Sequence, residues 1–157
     1  MDYIFEKIER TFLTADAFMD HKSIVGDKVF IAEWNVPTTY ILVDIINRKK
    51  VLLREFVFPK LFMSNEINTW LSKIYFKGLD DSWKTNIENI MIPKYDDYEK
   101  WEWTKDIRNR IGYRNKKDFA QSQWLDEHEC LRFDGYYEPI CSLESSEMFI
   151  RPVLFLY

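Results

Sequence analysis

The sequence predicts a single compact α/β domain of the α+β kind, a mostly antiparallel sheet with helices packed on it. Three observations support this class. The 157 residues are 46% hydrophobic and 17% aromatic, which is enough apolar side chain to build a buried core. A strand-rich region over 29–58 precedes a region of helical periodicity over 64–111. The segment 148–157 is again apolar, so we expect it to form a strand inside the sheet.

The strand-rich region divides at its polar and proline positions. The predicted strands cover 29–36, 40–46 and 51–58. The second and third strands flank a polar turn, Asn47-Arg-Lys-Lys50, and therefore predict a β-hairpin. Both strands are apolar at successive positions, which is typical of central strands covered on both faces.

Helical patterns surround these strands. Apolar residues spaced three and four apart predict an amphipathic helix or helix pair over 2–20, and His21 follows in a predicted loop. Further periodic stretches, each followed by glycine or proline and the first two preceded by capping residues, predict helices over 64–78, 81–91 and 95–111. We therefore divide the domain into an N-terminal helical segment, 1–22, and a body of sheet and helices, 26–157.

The two cysteines of the chain, Cys130 and Cys141, flank a predicted hairpin with Asp134-Gly135 as its two-residue loop. This loop pairs Cys130 with Pro139, at a position where the missing N–H of proline is tolerated, and His128 with Cys141. The alternative loop, Gly135-Tyr136, pairs the two cysteines but places Pro139 where a donor is required. We therefore favour the first register.

In that register His128, Cys130 and Cys141 share one face of the hairpin, and their soft ligand atoms predict a zinc site. We expect His21 to be the fourth ligand, with Asp126 or water as alternatives. Two other interpretations remain open for the cysteines. Each is a small buried hydrophobe, or the two form a disulfide, which their diagonal separation of roughly 7–8 Å disfavours.

Charge and composition narrow the class of partner. A net charge of −4 and a pI of about 5.3 weigh against direct nucleic-acid binding, for which proteins are normally basic. No stretch of the sequence approaches the roughly 20 apolar residues of a membrane span. No N-terminal apolar run resembles a secretion signal. The sequence therefore predicts a cytoplasmic protein with a protein partner.

A run of carboxylates in the third predicted helix is a candidate partner-binding surface, although such runs usually solvate a helix face. Its members are Asp96, Asp97, Glu99 and Glu102. Acidic side chains of this kind complement a basic nucleic-acid channel on a partner. We also expect exposed aromatic side chains over 95–103 to act as anchors beside them.

The motifs of common enzyme classes are absent from the sequence. It contains no Gly-rich phosphate loop, no G-x-S-x-G and no H-E-x-x-H. A nucleophilic Cys–His pair is conceivable, but the acidic neighbours of Cys130 would raise the pKa of its thiol and oppose that role. We therefore favour a non-catalytic binding protein, with a zinc- or cysteine-dependent enzyme as the alternative.

A wider pattern extends over roughly residues 26–156. It consists of Gly26-Asp27, Trp34-Asn-Val36, Lys50-Val-Leu-Leu53, Asn65-Glu-Ile-Asn-Thr-Trp-Leu71, Gln123-Trp-Leu125, Phe133-Asp-Gly135 and Ile150-Arg-Pro-Val-Leu-Phe-Leu156. This pattern resembles bacterial and phage domains related to the C-type-lectin and formylglycine-enzyme-like fold, from which 54–62 departs. The resemblance implies paired terminal strands and, as an alternative function, a lectin-like ligand-binding domain.

A small, acidic chain without catalytic motifs is also similar to the phage anti-CRISPR proteins that inhibit type II effector nucleases, some of which bind zinc. This second resemblance implies a zinc-stabilised inhibitor of a bacterial defence nuclease, acting in the cytoplasm of the host cell. Its partner would be the CRISPR effector itself, without direct contact to nucleic acid or membrane.

Overall fold

Two β-sheets organise the protein in a computed structural model that describes residues 11–12, 14–20, 22–104, 123–125, 129–131, 139–141 and 147–157. The strands are β1 (Thr11–Phe12), β2 (Lys28–Glu33), β3 (Val36–Ile46), β4 (Lys49–Arg54), β5 (Phe58–Met63), β6 (Ile87–Met91), β7 (Gln123–Leu125), β8 (Glu129–Leu131), β9 (Pro139–Cys141), β10 (Glu147–Ile150) and β11 (Val153–Leu156).

Within the described residues, four helical segments accompany the sheets: α1 (Ala15–Asp20), α2 (64–78), α3 (Asp81–Lys84) and α4 (Tyr95–Lys100). The second of these is composite. It opens with a 3₁₀ turn (Ser64–Glu66), continues as α-helix (Ile67–Trp70), widens to π-helix (Leu71–Tyr75) and ends as α-helix (Phe76–Gly78).

The larger sheet has the strand order β1-β2-β3-β4-β11-β6, in which β1 and β2 are parallel and the other neighbours antiparallel. The smaller sheet has the order β5-β10-β7-β8-β9, with β7 and β10 parallel. Mostly antiparallel strands with separate helices confirm the predicted α+β class.

The predicted terminal strand lies inside the larger sheet, as expected. Strand β11 pairs with β4 on one side and with β6 on the other. Arg151 and Pro152 separate β11 from β10, which belongs to the smaller sheet. The proline carbonyl accepts a hydrogen bond from the Arg54 N–H at 3.0 Å. The two residues therefore carry the chain from one sheet to the other.

Both faces of the larger sheet are covered, which confirms the prediction made from the apolar runs. Tyr40 and Leu42 belong to a core shared with α1, α2 and α3. Their neighbours Ile41 and Val43 point to the opposite side, where Tyr98 and Trp101 complete a second core. This alternation follows from the two-residue repeat of a strand.

The predicted hairpin at 47–50 is present, with Asn47 and Arg48 as its two loop residues. Both have positive φ, as a type I′ turn requires. A second turn of this kind is not part of the prediction. Trp34 and Asn35 form it, so the strand predicted over 29–36 ends at Glu33. Pro37 then pairs with Ala32 inside β3, at a point where β4 has not yet joined the other side.

Other predicted boundaries are wrong, for identifiable reasons. The helix predicted over 81–91 is α3 followed by β6, because Ile87 and Ile90 pair with the apolar strand β11. Its apolar residues fit helical spacing, but the long-range pairing prevails over this local pattern. The strand predicted over 51–58 ends at Arg54, and the chain then enters the smaller sheet as β5.

One predicted helix is shorter than expected. The helix predicted over 95–111 ends at Lys100, where Trp101 adopts an extended backbone with ψ of 139°. Residues 105–111 lie outside the described part of the chain. Of the segment predicted to be helical over 2–20, the structure describes 11–12 and 14–20, where the short strand β1 precedes α1. Residues 2–10 lie outside the described part of the chain.

Leu154 provides a test of the central position of β11. Its side chain is fully buried, and it pairs with Leu52 and Ile90. Leu154→Ala should lower the free energy of unfolding by about 2–5 kcal/mol, because it leaves a cavity in a packed core. Urea denaturation measures this value. Tyr157→Ala, at a position 64% exposed just beyond the strand, is the control and should change stability by less than about 0.5 kcal/mol.

Candidate functional site

Trp34 has an unusual backbone for a bulky residue. Its φ is 48°, in the left-handed region that large side chains seldom adopt. The turn is nevertheless firmly held, because the Trp34 N–H donates to the Gly78 carbonyl at 2.7 Å and the Asp80 N–H donates to the Ala32 carbonyl at 3.0 Å. The indole remains 48% exposed. A strained backbone therefore presents a large aromatic side chain at the surface.

The indole of Trp34 lies directly on Gly78. A Cβ atom at Gly78 would fall 2.4 Å from Cε2 and 2.7 Å from both Cδ2 and Cζ2 of the indole. Three ring atoms at nearly equal distance place the glycine over a face of the indole instead of its edge. The lack of a side chain at residue 78 is therefore what lets the indole lie where it does.

Three aromatic side chains also contact the indole. We call Trp34 and its ring neighbours Phe58, Trp70 and Tyr75 the Trp34 shelf. Ring centroids of these neighbours lie 5.9, 6.3 and 6.1 Å from that of Trp34. Trp70 also stacks on Tyr75 at 5.3 Å and contacts Phe58 edge to face at 4.8 Å. Such pairs add stabilisation beyond the area they bury.

The π-helical stretch of α2 determines the relative positions of two shelf residues, Trp70 and Tyr75. Trp70 immediately precedes the stretch Leu71–Tyr75, which ends with Tyr75. In an α-helix, residues five positions apart lie on different faces, whereas the wider π turn brings them closer together. The two rings can therefore stack while the Tyr75 hydroxyl points into the protein. π-Helical turns occur frequently at functional sites.

Beneath the shelf lies a buried ion pair between Glu33 and Arg54. The Arg54 Nε and Nη2 atoms donate to the two Glu33 carboxylate oxygens, each at 2.9 Å. The remaining Nη1 donates to the carbonyls of Phe56 and Val57 at 2.8 and 2.7 Å. This bidentate geometry orients the residue directly before Trp34.

Two fully buried tyrosines complete this group. The Tyr40 hydroxyl donates to the Glu33 Oε2 atom at 3.1 Å, the Tyr75 hydroxyl donates to the same oxygen, and the two hydroxyl oxygens lie next to each other. We call Glu33, Tyr40, Arg54 and Tyr75 the buried polar cluster. Because Tyr75 belongs to both groups, the cluster and the shelf are physically connected.

Burial and charge together set the protonation states in the cluster. Burial alone raises the pKa of the Glu33 carboxyl, but hydrogen bonding and the positive charge of Arg54, followed by the tyrosine hydroxyls, hold the pKa below its ordinary value. Burial and neighbouring negative charge raise the pKa of Tyr40 and Tyr75 well above the ordinary value. Glu33 is thus charged and both tyrosines are protonated donors.

The cluster is suited to a structural role. Both tyrosines are fully buried, and Glu33 and Arg54 are nearly so. Their hydrogen bonds are directed at one another and at nearby carbonyls. A substrate would have to displace these bonds to reach the carboxylate. We therefore assign the cluster to positioning the turn and not to catalysis.

A surface groove of about 230 Å³ lies between α2 and the edge strand β6. It is lined by Ser72, Phe76, Ile87, Glu88, Asn89 and Ile90. Its carboxylate, Glu88, binds Lys49 at 3.0 Å. The Ser72 hydroxyl donates to the Asn68 carbonyl at 3.0 Å. Neither group is arranged as a nucleophile beside a base, so this groove does not indicate catalysis.

The register around the cysteines differs from the predicted one by one residue. Cys130 pairs with Ile140 instead of Pro139, and Cys141 pairs with Glu129 instead of His128. The alternative register, which pairs the two cysteines, is also wrong. A shift of one residue exchanges the two faces of a strand, so the pairing no longer supports a common face for both cysteines.

The predicted zinc site is not tested by this register alone. Its two histidines, His21 and His128, lie outside the described residues, as does the predicted loop Asp134-Gly135. Within the described ranges, no three His, Cys, Asp or Glu side chains form a group that could hold a metal. Zinc therefore stays a prediction, which the metal content of protein purified without chelators will check.

The predicted acidic surface is partly formed by α4. Asp96, Glu99 and Glu102 are exposed. Asp97 is half-buried and has a local role, because its Oδ2 atom accepts the Lys94 N–H at 2.9 Å at the start of the helix. Three of the four predicted partner-binding carboxylates are thus available to a partner.

The prediction of exposed aromatic anchors beside these carboxylates is wrong for Tyr98 and Trp101. Tyr98 and Trp101 are buried in the second core and stack edge to face at 5.9 Å. Their spacing on the helix directs them inward, where sheet residues such as Val153 cover them. Trp34, which the sequence predicts to lie in a strand, instead has an aromatic side chain that is 48% exposed. The sequence signal that indicates this turn is Asn35, because Asn tolerates the left-handed backbone that such a turn requires.

Gly78→Ala tests the contact between the glycine and the indole. In the wild type the new Cβ must displace Trp34, so the free energy of unfolding should fall by about 1–3 kcal/mol. In a Trp34→Ala background the same substitution should be neutral or stabilising by up to about 1 kcal/mol, because Ala is favoured over Gly in a helix. Denaturation of the four proteins gives the coupling energy. Equal effects in both backgrounds would show that the contact does not constrain residue 78.

Glu33→Gln tests the charge in the buried cluster. Since its folded pKa lies below the ordinary value of 4.5, Glu33 contributes stability that is present above that value and is lost as pH falls through the folded pKa. The stability difference between wild type and Glu33→Gln should therefore be largest near neutral pH and shrink on acidification. Denaturation at several pH values measures it, with Glu88→Gln as an exposed control. A difference independent of pH contradicts the assignment.

Comparisons with known proteins leave the chain without an assigned family. No protein-family model matches it, and no curated protein or solved structure shows significant similarity to it. No helix within the described ranges is long and apolar enough to cross a membrane. The geometry of the site is therefore the basis for assigning a function.

Proposed function

We propose that the protein is a non-catalytic binding protein that docks on a protein partner through the Trp34 shelf and inhibits it. The observation that carries this proposal is the half-exposed indole held on a left-handed backbone. Strained backbones of this kind cost about 1–3 kcal/mol and cluster at functional sites.

The shelf has the properties of an interface anchor. Tryptophan is among the residues that contribute most to binding energy at protein interfaces. The hydrogen bonds to Gly78 and from Asp80, together with the ring contacts of Phe58 and Trp70, fix the indole before any partner arrives. A fixed anchor loses little conformational entropy on binding, so more of the contact energy becomes affinity.

The charge of the protein indicates a basic partner surface. The net charge is −4, and Asp96, Glu99 and Glu102 are exposed on and just after α4. Carboxylates in such an arrangement speed association with a basic surface and fix its orientation. The nucleic-acid channel of a nuclease is a surface of this type. Together with the resemblance to phage-borne proteins, this supports a type II CRISPR effector as the partner.

A target-cleavage assay with a purified type II effector tests the proposal. Inhibition should be complete at about one protein per effector and should not increase with incubation time, because binding involves no turnover. Trp34→Ala should weaken inhibition at least tenfold, which corresponds to the loss of an interface anchor. Charge reversal at Asp96 and Glu99 should weaken it further and reduce the association rate. Ile24→Ala, at an exposed apolar position outside the shelf, should inhibit like the wild type.

Two results would oppose the proposal. Full inhibition by a folded Trp34→Ala variant would show that the shelf is not the docking surface. Multiple-turnover modification of the effector, lost in Cys130→Ala, would favour the cysteine- or zinc-dependent enzyme instead.

A further inference from the structure

Helix α2 buries a different residue from the one that its sequence pattern favours. Ile67, Leu71 and Ile74 are spaced as i, i+4 and i+7, which places apolar side chains on one face of an α-helix. In the structure Ile67 and Leu71 are buried, but Ile74 is 49% exposed and Tyr75 takes the inward position. A phenol therefore occupies the core-facing place that the pattern gives to an aliphatic side chain.

The π-helical stretch of α2 accounts for this exchange. The Phe76 N–H donates to the carbonyl of Leu71, five residues back, whereas in an α-helix it would donate to that of Ser72. The wider turn rotates the residues that follow Leu71 relative to those before it, so Tyr75 turns inward and Ile74 outward. The two candidates for the inward place thus belong to two registers of one helix, a π register and an α register.

The hydroxyl of Tyr75 distinguishes the two registers. It donates to the Glu33 Oε2 atom inside the buried polar cluster. A buried hydroxyl without a partner is unfavourable, so the ring can face inward only where this bond is made. The α register instead buries Ile74, an apolar side chain, and keeps the ordinary helical hydrogen bonds. The bond between Tyr75 and Glu33 therefore favours the π register over the α register.

The Trp34 shelf depends on which register is present. Trp70 stacks on Tyr75 at 5.3 Å across the π stretch. Gly78, which follows the stretch, accepts the Trp34 N–H at 2.7 Å and lies against the indole. Because the α register would rotate both Tyr75 and Gly78 relative to Trp70, neither contact would be retained. The shelf is therefore formed only in the π register.

We infer that Tyr75 is a positioning residue for docking, whose hydroxyl selects the π register of α2 and thereby assembles the Trp34 shelf. This inference rests on the proposed function and adds a means of control to it, because one hydrogen bond decides whether the docking surface is formed. Tyr75 is fully buried, so it acts through Trp34 and Trp70 and not by contact with the partner.

Tyr75→Phe tests the inference on the protein alone, because it removes the hydroxyl and keeps the ring. NMR couplings across hydrogen bonds identify the carbonyl that accepts the Phe76 N–H. The wild type should show a coupling to Leu71, whereas Tyr75→Phe should weaken it and show one to Ser72. A soluble paramagnetic agent should broaden the Ile74 methyl signals less in the variant, because Ile74 then faces inward.

Tyr40→Phe is the matched control, since it removes a second hydroxyl from the same Glu33 oxygen but lies on β3. It should leave the Leu71 coupling unchanged. Ile74→Lys provides a rescue, because a lysine at this position opposes the register that turns it inward. Added to Tyr75→Phe, it should restore the Leu71 coupling, which a merely destabilising effect of Tyr75→Phe does not predict.

Several results would overturn the inference. One is an unchanged Leu71 coupling in Tyr75→Phe, and another is an equal change in Tyr40→Phe. A third is failure of Ile74→Lys to restore the coupling. Failure of Tyr75→Phe to fold would also overturn it, because no second register would then be stable.

Inhibition assays separate this inference from the proposed function. Tyr75→Phe should inhibit the effector about tenfold more weakly, because the partner must then order Trp34 and Trp70, and added Ile74→Lys should restore inhibition. Undiminished inhibition despite the changed coupling would overturn the positioning role. If the couplings change as expected but the wild type does not inhibit, the control of the shelf by Tyr75 stands and the proposed function is wrong. If Trp34→Ala loses inhibition while Tyr75→Phe keeps the Leu71 coupling, docking through the shelf stands and this inference is wrong.

Discussion

The bidentate ion pair between Glu33 and Arg54 connects the main parts of this structure. Glu33 ends β2, Arg54 ends β4, and Tyr40 of β3 lies between them in the sheet. Tyr75 brings α2 to the same carboxylate. A buried charge that loses its partner costs about 3–5 kcal/mol, so each member requires the others. Three strands and one helix are therefore fixed relative to one another by a single carboxylate.

The location of this cluster explains why the Trp34 turn is rigid. The turn begins directly after Glu33, and its indole contacts Tyr75, whose hydroxyl reaches the same carboxylate. On the other side, Gly78 offers both a carbonyl and an open face to the tryptophan. A left-handed backbone at a bulky residue persists when its surroundings determine it from several directions. Here a helix end, a sheet and an ion pair do so together.

The sequence carries part of this fold locally and part of it only through distant contacts. Apolar runs in β3 and β4 predict strands covered on both faces, because both sets of alternating side chains must be buried. The segment 87–91 cannot be assigned this way, since its apolar spacing suits a helix and its strand form depends on β11. Turn geometry at Trp34 depends equally on Gly78, which lies far along the chain. The spacing of apolar residues predicts which side chains are buried, but it does not predict which distant segment they pack against.

In the candidate site, too, some features follow from the local sequence and others depend on distant contacts. The exposure of Asp96 and Glu99 follows from their places on a helix whose apolar residues face inward. Glu33 occupies an inward-facing position in the same alternation as Val29 and Ile31, which predicts a buried charge in need of a partner. Alternation does not identify Arg54 as that partner, because the match depends on strand order and register. The pairing of Cys130 with Ile140 instead of Pro139 was likewise not predictable, because the Asp134-Gly135 pair alone does not determine the register of the strands beside it.

The position of β11 also has a kinetic consequence. Leu154 pairs with Leu52, so the centre of the larger sheet closes between segments separated by roughly 100 residues, and contacts at such separation slow folding. Until β11 arrives, β4 exposes an apolar edge and β6 has no neighbour in the sheet. Unpaired apolar edges of this kind attract other chains. The same strand that joins the finished sheet therefore makes its assembly slow and sensitive to protein concentration.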